Sequence, residues 1–463
     1  MRSGLSGMTI MEPARETPVC YEADVVVVGG GPGGIGAAVA AARSGADTVL
    51  MERYGYLGGM STGGLVTIIP NMSDLHGKQQ IAGICQEWID RLDARGATNY
   101  PKKEHWGSAD EELGMYYAKH SFFMERLGRP IYSAHIDAEV SKFILNEMVE
   151  EAGVKMYLHS WGTELIMDGN KAKGVIFESK SGRQAILAKV VIDSTGDGDL
   201  LPYAGADFEI DIPPSFRIAN LSLCFWVANV DLQRAEEFRD SEPEKFRELM
   251  DKSVRKGGFG GFFGSRLKNQ DSCVWFHNRF PNSSQIDVEE LTRVEFEGRK
   301  KMIRTFDFFQ EHVPGFEHSF IVLSSPQIGT RGSRRVIGEY MLTEADLNAD
   351  HVFEDTIAIF PDVDRGELSI QHPNQNIPYR CMIPRNVDNM LVACRAFSSD
   401  VIVQEYFNLI PHCIALGQAA GTAAALTIKA GVGVREVDYA ALQNSLADQG
   451  VPLPAVAKST MGK

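Results

Sequence analysis

The chain has 463 residues, 44% of them hydrophobic and 23% charged, which is the composition of a soluble globular protein with core enough for two or three domains. A net charge of −15 without a compensating basic block argues against nucleic acid and against an anionic membrane surface as partners. The seven cysteines form no C-x-x-C pair, so no metal centre is predicted, and their dispersal is typical of a reducing compartment.

The two ends of the chain carry no predicted targeting or membrane segment. Residues 1–20 lack an apolar core segment, which predicts a mobile leader and not a secretory signal. The apolar run 413–428 is too short and too rich in Gly and Ala to span a bilayer. We therefore expect a cytoplasmic protein that does not bind membranes.

Residues 24–36 run from four valines into a glycine cluster, and an alanine-rich segment follows. This pattern predicts a buried parallel strand, a tight turn and a helix that open a βαβ unit. Gly29, Gly31 and Gly34 fit G-x-G-x-x-G, in which the glycines allow the turn, the approach of a pyrophosphate and close helix–strand packing. A second strand, residues 48–51, ends in Glu52, at the distance where an acid binds ribose hydroxyls. The sequence therefore predicts a dinucleotide site.

A second glycine-rich loop, residues 53–64, follows directly after Glu52. It is either a flexible lid or a place where the backbone of Gly58, Gly59 and Met60 approaches the middle of the cofactor. We favour the second interpretation, because ligands of such sheets lie at the carboxyl ends of the strands.

The middle of the chain alternates between helical and strand patterns. Residues 65–130 show no steady periodicity and are predicted to be an insertion. The remaining predicted elements are a helix over 136–152 capped by Gly153, a strand over 154–158, hairpins over 162–192 with turns at 168–170 and 180–182, and an apolar strand that ends in the glycine-and-acid turn 190–199.

Residues 203–330 differ in character and suggest a separate domain. They contain an apolar strand over 221–227 and a charged helical stretch over 232–256. The glycine run 257–264 follows no apolar strand, so we interpret it as a mobile loop and not as a second dinucleotide site. The sequence then shows no NAD(P)H domain.

The last part of the chain contains the strand-like segment 389–395 and a Gly/Ala helix over 415–425. Small residues at 417, 420, 421 and 424 give this helix a face that meets either a sheet or the cofactor closely. The sequence leaves both alternatives open.

Three of these segments together resemble the FAD-dependent oxidoreductases of the glutathione-reductase-like superfamily, namely residues 25–34, 192–199 and 415–424. More narrowly they resemble a bacterial subgroup that is distantly akin to fumarate reductase flavoproteins. Residues 331–343 and 378–380 look like that subgroup as well. The similarity covers most of residues 22–430, and it implies FAD as the cofactor.

The resemblance also implies a role for individual residues. Glu52 would bind the adenosine ribose, Arg53 and the Gly58–Thr62 loop would line the ribityl chain or flavin, and the turn after residue 193 would return the chain to the cofactor. The complete predicted cofactor set is Gly29, Gly31, Pro32, Gly33, Gly34, Glu52, Arg53, Gly58, Gly59, Met60, Ser61, Thr62, Thr195, Gly196, Asp197, Arg395, Gly417 and Ala420.

The chain departs from the family pattern at two positions. Cys394-Arg395 stands where the family usually has Gly-Arg, and Asn408 stands where it commonly has an arginine that could hold a substrate anion or the flavin. The Gly58–Thr62 loop also lacks the histidine that anchors covalent flavin in some relatives, so we expect dissociable FAD.

The predicted fold class is α/β, a Rossmann-like FAD-binding domain with a parallel sheet, a βαβ start and a β-meander, into which an α+β substrate or cap domain is inserted. The predicted divisions are a leader (1–20), the first part of the FAD-binding domain (21–202, with the insertion 65–130), the cap domain (203–330), and the return segment with the C-terminal tail (331–463).

The predicted function is a dehydrogenase or reductase that transfers a hydride between a small organic substrate and FAD, since the flavin supplies the redox chemistry. A flavin monooxygenase and a non-catalytic or electron-relay flavoprotein subunit are the alternatives. Arg334, His372 and Tyr379 are the candidates for anion binding or proton transfer. The substrate, the hydride direction, the electron acceptor and homo-oligomerisation are left open.

Overall fold

The computed structural model describes residues 9–454. Residues 1–8 of the predicted leader and 455–463 of the predicted tail lie outside this range, and residues 19 and 20 already belong to the first strand.

The strands are β1 (Val19–Val28), β2 (Thr48–Met51), β3 (Ile68–Ile69), β4 (Thr98–Asn99), β5 (Glu125–Arg126), β6 (Arg129–Pro130), β7 (Ala134–Ile136), β8 (Lys155–Tyr157), β9 (Trp161–Asp168), β10 (Lys171–Ser179), β11 (Gly182–Asp193), β12 (Phe208–Glu209), β13 (Asn220–Ala228), β14 (Phe263–Gly264), β15 (Val274–Pro281), β16 (Phe320–Ser324), β17 (Arg335–Val336), β18 (Thr356–Pro361), β19 (Asn374–Pro378) and β20 (Met390–Val392).

The α-helices are α1 (Pro32–Arg43), α2 (Ile84–Asp93), α3 (Glu111–His120), α4 (Ala138–Glu151), α5 (Leu201–Ala204), α6 (Leu232–Ser241), α7 (Pro243–Arg255), α8 (Val288–His312), α9 (Glu344–Asn348), α10 (Leu368–Gln371), α11 (Val401–Tyr406), α12 (Ile410–Ala430) and α13 (Tyr439–Asp448).

The largest sheet of the described chain has seven strands in the order β8-β2-β1-β11-β10-β9, with β20 alongside β11. The pairs β8–β2, β2–β1, β1–β11 and β11–β20 are parallel, and β9, β10 and β11 form an antiparallel meander. Because the valines of β1 are buried on both faces, this strand needs the continuous apolar run that the sequence shows. The predicted α/β class is confirmed.

A second, antiparallel sheet in the order β14-β15-β13-β16 forms the centre of the predicted cap domain, and we call it the cap sheet. Alternate side chains of β13 point to opposite faces. Leu223 and Phe225 belong to clusters with side chains of α8, whereas Cys224 packs against Leu65 from the loop after the dinucleotide segment. One face of the cap sheet therefore meets α8, and the other meets the dinucleotide-binding part.

Several predicted elements need correction. The helical stretch 232–256 is two helices, because Pro243 lies at the first turn of α7 and disfavours helical backbone at Glu242. The segment 65–130, predicted to lack steady periodicity, contains the amphipathic helix α2, whose apolar side chains recur at helical spacing. Within 257–264, residues 263–264 form strand β14.

Other predicted elements are confirmed. Helix α4 is capped by the Asp137 carboxylate and followed by Gly153 in a left-handed conformation, and the turns between β9, β10 and β11 lie where we expected them. The Gly/Ala helix is α12. Among the described residues, α12 is the one helix whose length and apolar composition would allow it to cross a membrane. Of its most apolar window, 72% is buried inside the protein.

Candidate functional site: a dinucleotide cradle facing the cap sheet

Four parallel strands deliver the residues of the candidate site to one edge of the large sheet. β1 ends before Gly29, β2 before Glu52, β11 before Ser194 and β20 before Ala393. Carboxyl ends of parallel strands lie at the same edge, which is where ligands of α/β sheets bind.

The glycine turn after β1 leaves room for a ligand at one position only. A Cβ on Gly29 would lie 2.4 Å from the Ser194 carbonyl oxygen, and one on Gly34 would lie 1.7 Å from the Gly29 oxygen, so both positions are closed by backbone. At Gly31 the nearest atom, Cα of Gly59, is 4.0 Å away. Gly31 precedes α1, whose first N–H groups, on Gly33 and Gly34, have no intrahelical acceptor. This open N-terminus suits a pyrophosphate.

Glu52 lies beside this turn and is 7% exposed. Its carboxylate accepts hydrogen bonds from the N–H groups of Gly30, at 2.6 Å, and Tyr54, at 2.9 Å. Burial raises the pKa of Glu52 above its ordinary value. Arg53 is exposed and its guanidinium lies over the rings of Tyr54 and Trp161.

The second glycine loop lies against the first. Gly58 and Gly59 have positive φ, and a Cβ on Gly59 would lie 3.0 Å from Cα of Gly31. The hydroxyl of Ser61 donates to the Gly58 carbonyl oxygen at 2.7 Å, and that of Thr62 donates to the Leu57 oxygen at 2.5 Å. The loop is thus held by its own hydrogen bonds.

The turn after β11 carries an ion pair with the return segment. Arg395 lies 2.8 Å from the carboxylate of Asp197, and its guanidinium covers Gly196, where a Cβ would lie 2.8 Å from Nη1. The Nε–H of Arg395 has no acceptor among residues 9–454. Thr195 donates to the carboxylate of buried Asp193 at 2.7 Å, and burial raises the pKa of Asp193 to about 6.

Helix α12 supports the turn from behind. A Cβ on Gly417 would lie 2.0 Å from the Gly33 carbonyl oxygen, and one on Gly421 would lie 2.0 Å from the Ala37 oxygen. Ala420 is fully buried in the same core. This placement favours close helix packing as the role of Gly417 and Ala420, and their assignment to the cofactor stays a prediction.

The structure does not bring the three predicted catalytic residues together. Arg334 donates to the Asp197 carbonyl oxygen at 2.9 Å and to the Asp199 carboxylate at 3.1 Å, so it braces the turn after β11. His372 pairs with Asp350 at 2.9 Å at the end of α10. Tyr379 is fully buried and its hydroxyl donates to the Val434 carbonyl oxygen at 2.9 Å. These contacts favour structural roles, and catalysis by these residues stays a prediction.

Sequence reasoning missed the residues of the cap sheet that face the dinucleotide-binding part. They alternate along β13 and β15, and they include Ser222, Cys224, Trp226, Trp275, His277 and Arg279. Period-two alternation in the strand 221–227 could have indicated two distinct faces, but not which face meets the dinucleotide-binding part.

A cavity of about 750 Å³ lies at one end of this face. Trp226 and Trp275 of the cap sheet line it together with Thr67, His135 and the aromatic pair Phe122 and Phe123 of the predicted insertion. Such a volume suits a small organic molecule. Burial lowers the pKa of His135 to about 3, so this histidine is neutral.

The residues at the sheet edge fit FAD. Gly31 forms an open cradle beside a helix N-terminus, Glu52 supplies a carboxylate acceptor, and Arg395 presents an unpaired donor at the turn after β11. A parallel sheet with such an edge, facing a separate cap sheet, is the arrangement of a dinucleotide-binding α/β protein.

The chain belongs to the FAD dependent oxidoreductase family, which it matches over residues 24–446. It is therefore an FAD-dependent oxidoreductase enzyme. Digeranylgeranylglycerophospholipid reductase 1 of Methanopyrus kandleri is 27% identical over 184 residues, which are 38% of this chain and 40% of that protein. The match thus spans less than half of the relative's length.

Solved structures that are similar to the chain include a reductase-like protein and a monooxygenase. A geranylgeranyl bacteriochlorophyll reductase-like protein of Thermoplasma acidophilum is 15% identical, with 92% of this chain and 82% of that chain covered and a TM-score of 0.47. The p-nitrophenol 4-monooxygenase of Pseudomonas putida DLL-E4 is 12% identical, with 92% and 84% covered and a TM-score of 0.44.

The purified protein is expected to be yellow and to release free FAD on acid precipitation. The Gly58–Thr62 loop contains no histidine or cysteine, and burial raises the pKa of the Cys413 thiol to about 11 and that of Cys394 well above its usual range. These thiols are protonated and poor nucleophiles for a flavin bond. Absorbance of the supernatant and pellet checks this, and colour that stays with the pellet would contradict it.

Proposed function

We propose that the protein is a dehydrogenase or reductase that transfers a hydride between a small organic substrate and non-covalently bound FAD. We also place it in the glutathione-reductase-like superfamily. The strand–glycine–helix start, the meander β9–β11 and the late parallel strand β20 support this placement.

The observation that carries the proposal is the direct contact between the cap sheet and the 58–66 loop. The indole N–H of Trp275 in the cap sheet donates to the Leu65 carbonyl oxygen at 2.9 Å, and the N–H of Gln327, three residues after the cap strand β16, donates to the Gly63 oxygen at 3.2 Å. Leu65 has a φ of +53°, a conformation that costs a non-glycine residue about 1–2 kcal/mol and that these contacts hold. A cap held against this loop would shield a bound flavin from water, and exclusion of water favours hydride transfer.

Bound FAD supplies the electron and hydride chemistry. The chain supplies orientation and charge. Arg395 and Asp197 fix the turn after β11, and Ser333 and Arg334 hold Asp197 through its carboxylate and its carbonyl oxygen, respectively. On the cap side His277 stacks on Trp275, and burial lowers the pKa of His277 to about 3. His277 is therefore a neutral imidazole that can accept a hydrogen bond from a substrate hydroxyl or amine.

The two alternatives remain and differ in what they need. A monooxygenase normally takes electrons from NADPH, and the glycine run 257–264 has strand β14 at its end and no strand before it, unlike a dinucleotide turn. An electron-relay subunit would need clusters or a partner surface. Residues 9–454 contain no group of three or more His, Cys, Asp or Glu that could hold a metal, and the metal-free assignment stays a prediction.

We further propose a cytoplasmic location, a small-molecule partner, and no nucleic-acid or membrane partner. The support is the net charge of −15 and the burial of α12 inside the protein.

Anaerobic mixing of the holoprotein with substrate panels separates these functions. We expect an alcohol, amine or saturated carbon acid to bleach the flavin without NAD(P)H, or the reduced flavin to be reoxidised by an unsaturated substrate. Rapid reduction by NADPH followed by incorporation of labelled oxygen into product would establish the monooxygenase and overturn the proposal. A flavin that exchanges electrons only with protein carriers would establish the relay.

A further inference from the structure

Residues 329–334 cross from the cap sheet to the cofactor cradle. Gly329 pairs with Ser222 of β13, the N–H of Thr330 lies 3.4 Å from the Met60 sulfur, and Ser333 donates to the Asp197 carboxylate at 2.6 Å. Arg331 is in the middle of this crossing. It therefore lies between the substrate-facing side of the cap sheet and the predicted flavin loop.

Arg331 differs from the other arginines of its segment. Arg334 pairs with Asp199 at 3.1 Å, and Arg335 pairs with Glu209 at 3.0 Å. The guanidinium of Arg331 is partly buried and has no hydrogen-bond or ion-pair partner among residues 9–454. A guanidinium that solvent reaches and that no carboxylate of the described chain neutralises is available to pair with an anionic ligand.

The charges around Arg331 do not balance. Arg126 and Arg217 both form ion pairs with the carboxylate of Asp364, at 3.4 and 3.2 Å, respectively. Arg217 forms a second ion pair with the carboxylate of Glu405 at 3.2 Å. Arg279, on the cap sheet opposite Ser222, has no side-chain partner among the described residues. The cluster of Arg126, Arg217, Arg279, Arg331, Asp364 and Glu405 thus holds four positive and two negative groups. Burial, and then the charges of Arg217 and Arg279, lower the pKa of Arg331 to about 10.

The positive electrostatic potential of this cluster acts on the face of the cap sheet that meets the 58–66 loop. Burial is the main cause that lowers the pKa of His277, and the positive charges of Arg279 and Arg331 are the next causes. Burial raises the pKa of the Cys224 thiol, and the charge of Arg331 acts against this rise. Cys224 packs against Leu65 of the loop. An anion bound there would lie next to the neutral imidazole of His277.

We propose that Arg331, with Arg279, binds the carboxylate of an anionic substrate on the face of the cap sheet that meets the 58–66 loop. The inference rests on the proposed function, because it names the substrate class of that site. Guanidinium groups pair with carboxylates through two parallel hydrogen bonds, which gives orientation as well as affinity.

The test is a binding titration read on the oxidised flavin, so it does not depend on turnover. Acetate, benzoate and succinate are compared with acetamide, benzamide and succinamide as perturbants of the flavin spectrum. We expect at least one carboxylate to bind and its amide to bind far more weakly. Arg331→Met should weaken carboxylate binding about ten- to a hundredfold, Arg331→Lys should weaken it less, and amide binding and FAD content should stay unchanged.

Two further variants keep the test decisive. Arg279 is exposed, so Arg279→Met should fold, and we expect it to weaken carboxylate binding as well. Arg293 is a matched control, because it is an exposed arginine of the same block paired with Glu290 at 2.8 Å, and Arg293→Met should change nothing. Carboxylates that bind no better than amides, unchanged binding in both arginine variants, or loss of FAD from Arg331→Met would overturn the proposal. Failure of hydride transfer with intact carboxylate binding would instead overturn the proposed function alone.

Discussion

Glu52→Ala is expected to purify folded but depleted of FAD. A carboxylate that accepts ribose hydroxyls makes charge-assisted hydrogen bonds, and their loss should cost roughly 1.5–3 kcal/mol of binding, about ten- to a hundredfold in affinity. The structure places this carboxylate beside the open cradle at Gly31, bonded to the Gly30 N–H at 2.6 Å. The measurement is equilibrium binding of FAD to the apoprotein.

The control for this prediction is Glu22→Ala, which removes an exposed carboxylate from the other end of β1. It should bind FAD like the wild type. Glu52→Ala also leaves the N–H groups of Gly30 and Tyr54 without their acceptor. The melting temperatures of the variant and wild-type apoproteins must therefore be compared as well. Full FAD occupancy of Glu52→Ala at low FAD concentration would show that the ribose assignment is wrong.

Gly421→Ala should destabilise the protein by about 2 kcal/mol. Its Cβ would lie 2.0 Å from a backbone oxygen of α1, so the two helices must separate, and overpacking of this kind costs about 3 kcal/mol. Alanine recovers about 1 kcal/mol of helix propensity, which leaves the net loss. Denaturant unfolding of the apoprotein measures it, and Lys429→Ala in the exposed last turn of α12 is the control.

Gly417→Ala distinguishes packing from cofactor contact. Its Cβ would lie 2.0 Å from the Gly33 carbonyl oxygen, so we expect the same loss of apoprotein stability as at Gly421 together with weaker FAD binding, because the turn at Gly33 must shift. Weaker FAD binding without any loss of apoprotein stability would instead show that Gly417 contacts the cofactor directly.

The sequence predicted best where one short segment determines the structure. The valine run, the glycine turn and Glu52 belong to a single βαβ unit, and the turns between β9, β10 and β11 follow from local Gly and Asn residues. These features need no knowledge of distant contacts. The dinucleotide site follows from them, whereas the choice of FAD rests on the family resemblance and is confirmed by the family match.

The sequence did not predict the contacts of the catalytic candidates, because residues that are distant in the chain form their surroundings. Arg331, Arg334 and Arg335 are indistinguishable in the sequence, and only the positions of Asp199 and Glu209 show which arginines are already paired. Likewise the hydroxyl of Tyr379 is occupied by Val434, 55 residues later. Pairing across such separations is not encoded in local pattern, so the choice among similar residues required the fold.

The β11–β20 pairing has a consequence for how the chain folds. Arg395 meets Asp197 across 198 residues, so a ribosome adding about 5–20 residues per second needs about 10–40 s after the first partner to produce the second. During that time the last three residues of β11, 191–193, lack their partner strand β20, and closing so long a loop slows folding. A chain cut short before residue 389 would keep the complete glycine fingerprint and Glu52, yet it would lack the strand and helix that brace them. In truncated or fragmentary relatives, the fingerprint alone is therefore a poor guide to a working flavin site.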